Sequence, residues 1–162
     1  MIMKNNNNIV KKIVQLLSND DEIKSLLFYA NESSSLPTSD QLVTSKYIVD
    51  YPVITEANDK FSFISVHHDN TLLGDDNIYV STFKVSCGVS LDAWHTTDGD
   101  QRVLLLADRI EDILTKKKIS GSTGDFTLSA INSIYWNALL TSSVLIWPAS
   151  RGFLHKEMAG KL

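Results

Sequence analysis

The chain has 162 residues, of which 43% are hydrophobic and 21% are charged, and its formal net charge is −4. This length fits one globular domain and excludes a large multi-domain machine. The acidic balance excludes the general basic excess with which nucleic-acid binders neutralise phosphates. The charge is uneven, because residues 1–81 hold 6 basic and 11 acidic residues (net −5) whereas residues 82–162 hold 9 and 8 (net +1). Such an asymmetry can guide one copy of a protein onto another.

The sequence has none of the usual signs of secretion. Cys87 is the one cysteine, so an intrachain disulfide cannot form, and the first residues contain no apolar stretch that would serve as a signal peptide. No segment reaches the roughly 20 apolar residues that cross a bilayer. We therefore expect a protein of cytosolic origin with no membrane contact.

Residues 1–30 predict an N-terminal pair of helices. Apolar residues between Ile9 and Leu17 recur at spacings of three and four, which indicates one face of a helix that stops near Ser18. Asn19 is the predicted N-cap of the second helix, and Glu22 has the spacing that completes a capping box.

The next part of the chain predicts a sheet. Residues 31–40 are rich in serine and predict an exposed loop. Residues 46–55 predict an extended segment at an edge, because Pro52 lacks a backbone donor. Residues 61–67 and 78–91 then predict a long antiparallel hairpin, whose second strand alternates apolar and polar residues. This alternation indicates one covered face and one polar face.

The predicted connection of this hairpin, residues 69–77, contains the first set of candidate interface residues. A leucine pair stands beside acidic residues there, and loop leucines either fold back onto the core or contact a partner. Both alternatives remain open on the sequence alone. The candidate interface residues are Leu72, Leu73, Asp75 and Asp76.

The clearest helical pattern covers residues 103–114, with Asp98 to Asp100 expected to supply its cap. Its charged side chains, including Arg109, are predicted to point outward. Two returning strands are predicted within 126–147, although residues 130–140 also fit a helix. The fold class is therefore α+β, an antiparallel sheet with one amphipathic helix packed across it. We expect a single domain with N-terminal helices (1–30), the sheet and its packing helix (46–147) and a C-terminal tail (148–162).

No catalytic or cofactor-binding constellation stands out, and we expect neither an enzyme nor a bound cofactor. His67 and Asp69 are the best metal candidates, because alternate residues of a strand share a face, but two ligands leave a metal site incomplete. Cys87 lies among apolar strand residues, so we interpret it as a buried structural thiol. Trp94 and the other two tryptophans are interpreted as packing residues.

The order of elements resembles a known family. The segments that carry the resemblance are Lys60-Phe61-Ser62-Phe63-Ile64-Ser65-Val66, Ile78-Tyr79-Val80-Ser81-Thr82-Phe83-Lys84-Val85 and the helix from Arg102 to Leu114. Together with the helical N-terminus and the returning strands, they resemble the tail-terminator and head-to-tail joining (neck) proteins of long-tailed bacteriophages, over residues 9–147.

The resemblance implies a structural virion protein in the tail or neck, assembled in the host cytoplasm. Such proteins form rings, usually hexameric, that end the tail tube and join it to the connector beneath the portal, and DNA passes through the ring without specific binding. The implied partners are further copies of the chain, the tail tube protein and the head connector or portal-associated proteins. The hairpin connection would be a contact loop, and Asp92, Asp98 and Asp100 would be candidate acids lining the channel.

Two features depart from the family pattern. Residues 130–140 are ambiguous between helix and strand, and the tail from Arg151 has no place in the pattern. Another head-completion or neck component is therefore an alternative. A further alternative, from a different functional class, is a small α+β module that binds a small molecule or peptide between the hairpin face and Trp94.

Overall fold

The computed structural model of the protein describes residues 2–28, 35–51, 62–73, 78–90, 93–115, 130–137, 140–148 and 153–154. These residues form an α+β fold, as the sequence predicts. The helices are α1 (Ile2–Ser18), α2 (Asp21–Phe28), α3 (Ser39–Thr44) and α4 (Arg102–Leu114). The strands are β1 (Ile48–Val49), β2 (Phe63–Leu73), β3 (Ile78–Ser90), β4 (Ala130–Asn137), β5 (Leu140–Pro148) and β6 (Phe153–Leu154).

The predicted N-terminal helix pair is present, but its first helix is longer than predicted. Helix α1 begins at Ile2 and includes the asparagine run. Asn6 lies on the same helical face as Ile9 and Ile13, and all three are fully buried. Packing of this face therefore outweighs the low helix propensity of asparagine, and the helix begins before Ile9, the first residue of the predicted apolar face.

The N-cap of α2 is Asp20, so the prediction of Asn19 was wrong. The Asp20 carboxylate accepts a hydrogen bond from the backbone N–H of Ile23, with Oδ1 and N 3.0 Å apart. The Asn19 side chain instead donates to the carbonyl of Gln15 at the end of α1 (2.8 Å). Asn19 therefore binds the end of α1, whereas Asp20 caps the start of α2.

Part of the predicted loop at 31–40 is helical, because α3 begins at Ser39. Thr38 and Gln41 form a reciprocal capping box, with Thr38 Oγ1 accepting from the Gln41 N–H and Gln41 Oε1 accepting from the Thr38 N–H. The threonine and glutamine spacing is a helix-start signal that the serine-rich composition concealed. Leu42 is fully buried and fixes the short helix to the core.

The strand order in the sheet is β1-β2-β3-β5-β4, and β6 pairs with one end of β3. The β2–β3 hairpin and the returning strands are antiparallel as predicted, whereas β1 pairs in parallel with β2. Residues 130–137 are a strand, which resolves the ambiguity between helix and strand. Phe153 and Leu154 pair with Tyr79 and Ile78, so part of the predicted tail belongs to the sheet.

Both faces of the sheet are covered near the start of β2. Val66 and Cys87 lie in the core on the helix face, as expected for their parity. On the opposite face, Phe63, Ser65 and Ser86 are also buried, so the prediction of one polar face was wrong here. Small hydroxyl side chains can be buried when their hydrogen bonds are satisfied, and Ser65 Oγ donates to the carbonyl of Tyr51 (2.6 Å).

Helix α4 packs across β3 and β5 and also contacts α1 and α2. Its buried residues keep the predicted helical period. Cys87 is fully buried, as predicted, and its thiol donates to the carbonyl of Val103 (4.0 Å), linking β3 to the first turn of α4. The buried residues of α4 are Val103, Leu106, Ala107, Ile110 and Leu114.

Candidate functional site

The predicted interface leucines lie on a strand rather than in a loop. Leu72 and Leu73 end β2, opposite Tyr79 and Ile78 of β3. The sequence Asp69-Asn70 suggested an early turn, but cross-strand pairing continues for several residues beyond it. The hairpin connection is therefore shorter than predicted. Asp75 and Asp76 lie outside the described residues, as does Asp92.

Asp98 and Asp100 lie in an ordered, exposed loop before α4, which we call the acidic loop (residues 96–100). The Thr96 N–H donates to the Asp100 carbonyl (2.9 Å), and the Asp100 N–H donates to Thr96 Oγ1 (3.2 Å). Gly99 has a φ of 91° at the turn, a conformation that glycine adopts without strain. The backbone of the loop is therefore ordered, and it presents two carboxylates at the surface.

The acidic loop does not cap α4, contrary to the prediction. The N-cap residue is Gln101, and it makes no side-chain capping hydrogen bond. Two residues before the acidic loop hold the helix start instead. Arg102 Nε donates to the carbonyl of Ala93 (3.0 Å), and the Arg102 N–H donates to the carbonyl of Trp94 (2.8 Å). Asp98 and Asp100 are therefore free of a capping role.

The helical pattern suggested that Arg109 points freely into solvent, but its side chain forms an ion pair instead. Its guanidinium group donates to both carboxylate oxygens of Asp20, with Nε–Oδ1 at 3.1 Å and Nη2–Oδ2 at 2.6 Å. Glu22 adds a contact of 3.2 Å to Nε. Burial raises the pKa of Asp20, but hydrogen bonds from Arg109 and the Ile23 N–H outweigh it, so the net pKa lies below its ordinary value. The ion pair joins α4 to the start of α2.

A groove of about 380 Å³ lies between α1 and the segment that links α3 to β1. We call it the lysine groove. Lys11 of α1 and Lys46 of the linking segment are both exposed at its rim. Val43 and Tyr51 give it an apolar lining and are 44% and 47% exposed. Large apolar side chains with this exposure, beside cations, favour contact with another molecule.

A second groove of about 380 Å³ lies on the other side of α3. Phe28 and Leu36 line it and are 40% and 42% exposed, and the rings of Phe28 and Tyr47 meet edge to face with centroids 6.0 Å apart. Trp94 lines neither groove. It packs, partly buried, against the core.

The histidine pair offers no metal site within the described residues. His67 lies opposite Lys84, and His68 lies opposite Phe83, with ring centroids 6.2 Å apart. The two histidines therefore face opposite sides of the sheet. His67, which has Lys84 as its neighbour, lies on the face that carries the polar residues of β3. No group of three histidine, cysteine or carboxylate residues in the described ranges is arranged to hold a metal ion.

Comparison with known proteins gives the chain its family. A family model described as YomW matches residues 20–138, which is more than half of the sequence. The chain belongs to the YomW family. YomW is a family of bacteriophage type. The match covers α2, α3 and α4, both strands of the long hairpin and β4.

Other comparisons add little to this YomW-family assignment. No curated protein matches the sequence. Among solved structures, a chain from a virion of a native gene transfer agent (GTA) particle aligns with a TM-score of 0.41 and 11% identity, over 69% of this chain and 82% of that chain. An alignment at this level does not establish a shared role. No helix in the described ranges is long and apolar enough to span a bilayer.

Sequence reasoning missed the lysine groove of this YomW-family protein. Lys11 and Lys46 are 35 positions apart in the numbering, and neither belongs to a motif. One local signal was available, since the capping box at Thr38 predicts a helix and hence a tight turn before the edge strand. The pairing of that turn with α1 has no local signal, because it depends on how the helices pack.

Proposed function

We propose that this YomW-family chain is a non-enzymatic structural protein of a phage virion. In this proposal, copies of the chain form a ring, most simply a hexamer, that ends the tail tube and joins it to the head connector. The partners are further copies of the chain, the tail tube protein and the connector or portal-associated proteins. DNA passes through the ring without specific binding, and the protein resides in the tail or neck after assembly in the host cytoplasm.

Membership in a phage-type family is the observation that carries the proposal. The fold adds support, because the elements that resemble tail-terminator and neck proteins are formed: the helix pair, the long β2–β3 hairpin, α4 and the returning strands. The exposed apolar side chains around α3 also fit a protein that is completed by contacts with neighbours.

Deletion of the gene from its phage tests the proposal directly. A tube without its terminator keeps an end that can add subunits, so we expect tails of irregular, excessive length and heads without tails under the electron microscope. Complementation with the wild-type gene should restore tails of uniform length. An antibody label on intact particles should mark the junction between head and tail.

Different outcomes separate the alternatives. Tails of normal length beside unjoined or leaking heads would indicate another head-completion component. Fully infectious particles that lack the protein would contradict a virion role.

A further inference from the structure

The lysine groove carries charges that the described residues do not neutralise. Lys11 and Lys46 form no ion pair within the part of the chain that the structure describes, although both residues line the same groove. Asp50 is the one carboxylate among the described lining residues, so these residues together carry a net positive charge. Its apolar side chains, Val43 and Tyr51, remain nearly half exposed.

The backbone at Lys46 gives the groove a second, independent feature. Lys46 has a φ of 63°, in the left-handed region that glycine and asparagine occupy most readily. The turn from α3 into β1 therefore does not require a lysine side chain, and a glycine would form it with less strain. The lysine stands where its backbone is disfavoured and where the residue lines the groove, which indicates a role for the side chain.

The acidic loop carries the opposite charge. Asp98 and Asp100 are exposed and form no ion pair with any residue that the structure describes. Hydrogen bonds through Thr96 and the turn at Gly99 fix the backbone of the loop. A loop that is already ordered loses little conformational entropy when it binds.

We propose that the acidic loop of one copy binds in the lysine groove of the next copy. The pairing would place Asp98 and Asp100 against Lys11 and Lys46, with the apolar lining of the groove closing around the loop. This inference rests on the proposed function, since it names the contact that joins neighbours in the ring. Groove and loop are different surfaces of one chain, so the contact is head-to-tail, the type of interface that closes a ring.

The assignment differs from a role for these aspartates in lining the DNA channel. Channel acids would repel phosphates while leaving the subunit contacts intact, so changing their charge would affect DNA passage alone. Contact acids would instead control assembly. An acidic segment of another virion protein in the groove would make a third case, in which the lysines matter for joining but the aspartates do not.

Charge reversal and its repair test the contact in the full-length protein. The groove variant carries Lys11→Glu and Lys46→Glu, and the loop variant carries Asp98→Lys and Asp100→Lys. Each should reduce the assembled fraction, measured by analytical ultracentrifugation and on phage tails, by about tenfold or more, because opposed like charges disfavour an interface. The variant with all four substitutions should recover most of the assembly, because the charges are again opposite.

Matched controls separate the groove from charge in general. Lys12→Glu changes an exposed lysine of α1 that is not among the groove residues, and Asp108→Lys changes an exposed carboxylate of α4. Both should assemble like the wild type. Carbodiimide crosslinking of a mixture of ¹⁴N- and ¹⁵N-labelled protein should join Lys46 or Lys11 of one copy to Asp98 or Asp100 of another.

The outcomes distinguish this inference from the function on which it rests. If the wild type and the charge-reversed variants all form rings, and the predicted crosslinks are absent, the contact is overturned and the proposed function stays intact. The same holds if the loop variant assembles normally and only the groove variant fails. A wild-type chain that neither self-associates nor appears in particles would overturn both.

Discussion

Asp20 and Arg109 form a two-point ion pair that joins residues 89 positions apart, with a shortest distance of 2.6 Å between Nη2 and Oδ2. The same Asp20 carboxylate caps α2. One side chain therefore starts a helix and fixes that helix to α4. The N-terminal helix pair is held against α4 by this contact as well as by apolar packing.

Substitutions at Asp20 should separate its two roles. Asn retains a capping oxygen but removes the charge, so Asp20→Asn should lose the ion pair and keep most of the cap. Asp20→Ala should lose both and be less stable than the Asn variant by about 1 kcal/mol. Urea unfolding followed by circular dichroism measures the difference. Asp21→Asn is the control, since its contact with Lys24 lies at the exposed surface and should contribute little. Equal stability of all variants would contradict the role of Asp20.

The stabilising effect of Asp20 should depend on pH in a defined direction. The pKa of Asp20 is lowered in the folded state, so its contribution is complete above the unfolded-state pKa of about 4 and is lost as the pH falls through the folded-state pKa. The difference in melting temperature between the wild type and Asp20→Asn should stay constant from pH 7 to about pH 5 and shrink below about pH 4. A gap that widens on acidification would contradict the assignment.

Gly88 should tolerate no larger residue while Phe63 stands opposite it. A Cβ at position 88 would clash with Cε1 of the Phe63 ring, which is fully buried. Gly88→Ala should lower the free energy of unfolding by about 1–3 kcal/mol, the usual effect of overpacking a core. The double variant with Phe63→Leu should be more stable than Gly88→Ala alone, because the smaller side chain relieves the clash. Additive losses in the double variant would argue against a direct contact.

Leu72 and Leu73 remain candidate contact residues, now placed at the end of β2. If they contact a neighbour, changing both to serine should spare the fold and reduce assembly. Burial of a leucine contributes about 1.5–3 kcal/mol, so a large loss of stability would instead place the side chains in the core. Thermal unfolding and sedimentation of the same variant measure the two effects side by side.

Lys46→Gly should not destabilise the protein, despite removing a side chain. Relief of the left-handed backbone and the greater freedom of glycine in the unfolded chain act in opposite directions, so we expect a gain of between about 0 and 1 kcal/mol. Lys12→Gly, in the interior of α1, should lose about 1 kcal/mol and serves as the control. A similar loss for both variants would show that the Lys46 side chain stabilises the monomer.

Local patterns predicted the elements well where one face of an element is buried. The period of α4 placed Val103, Leu106 and Ile110 in the core, and the alternation of β3 placed Cys87 there. Predictions failed where a local signal competed with packing. The apolar face that begins at Ile9 suggested a late helix start, but α1 begins at Ile2 and Asn6 is buried on the same face.

The candidate sites were harder to predict than the elements. Asp98 and Asp100 were predicted as candidate channel-lining acids, but the hydrogen bonds that order their loop were not predicted, since a capping role had been expected. The lysine groove was missed because its two cations come from separate elements. A pair of exposed lysines can be recognised from a sequence only when the two lysines are close together in it.

The sequence by itself determined an acidic α+β fold, its amphipathic helix and its long hairpin. Those features follow from the spacing of apolar residues, which depends on local backbone geometry. Only the tertiary structure decided that β1 runs parallel to β2, that Asp20 meets Arg109 and that Lys11 and Lys46 share a groove. These relationships join distant parts of the chain. They depend on how the helices and the sheet are placed against one another, which no local spacing specifies.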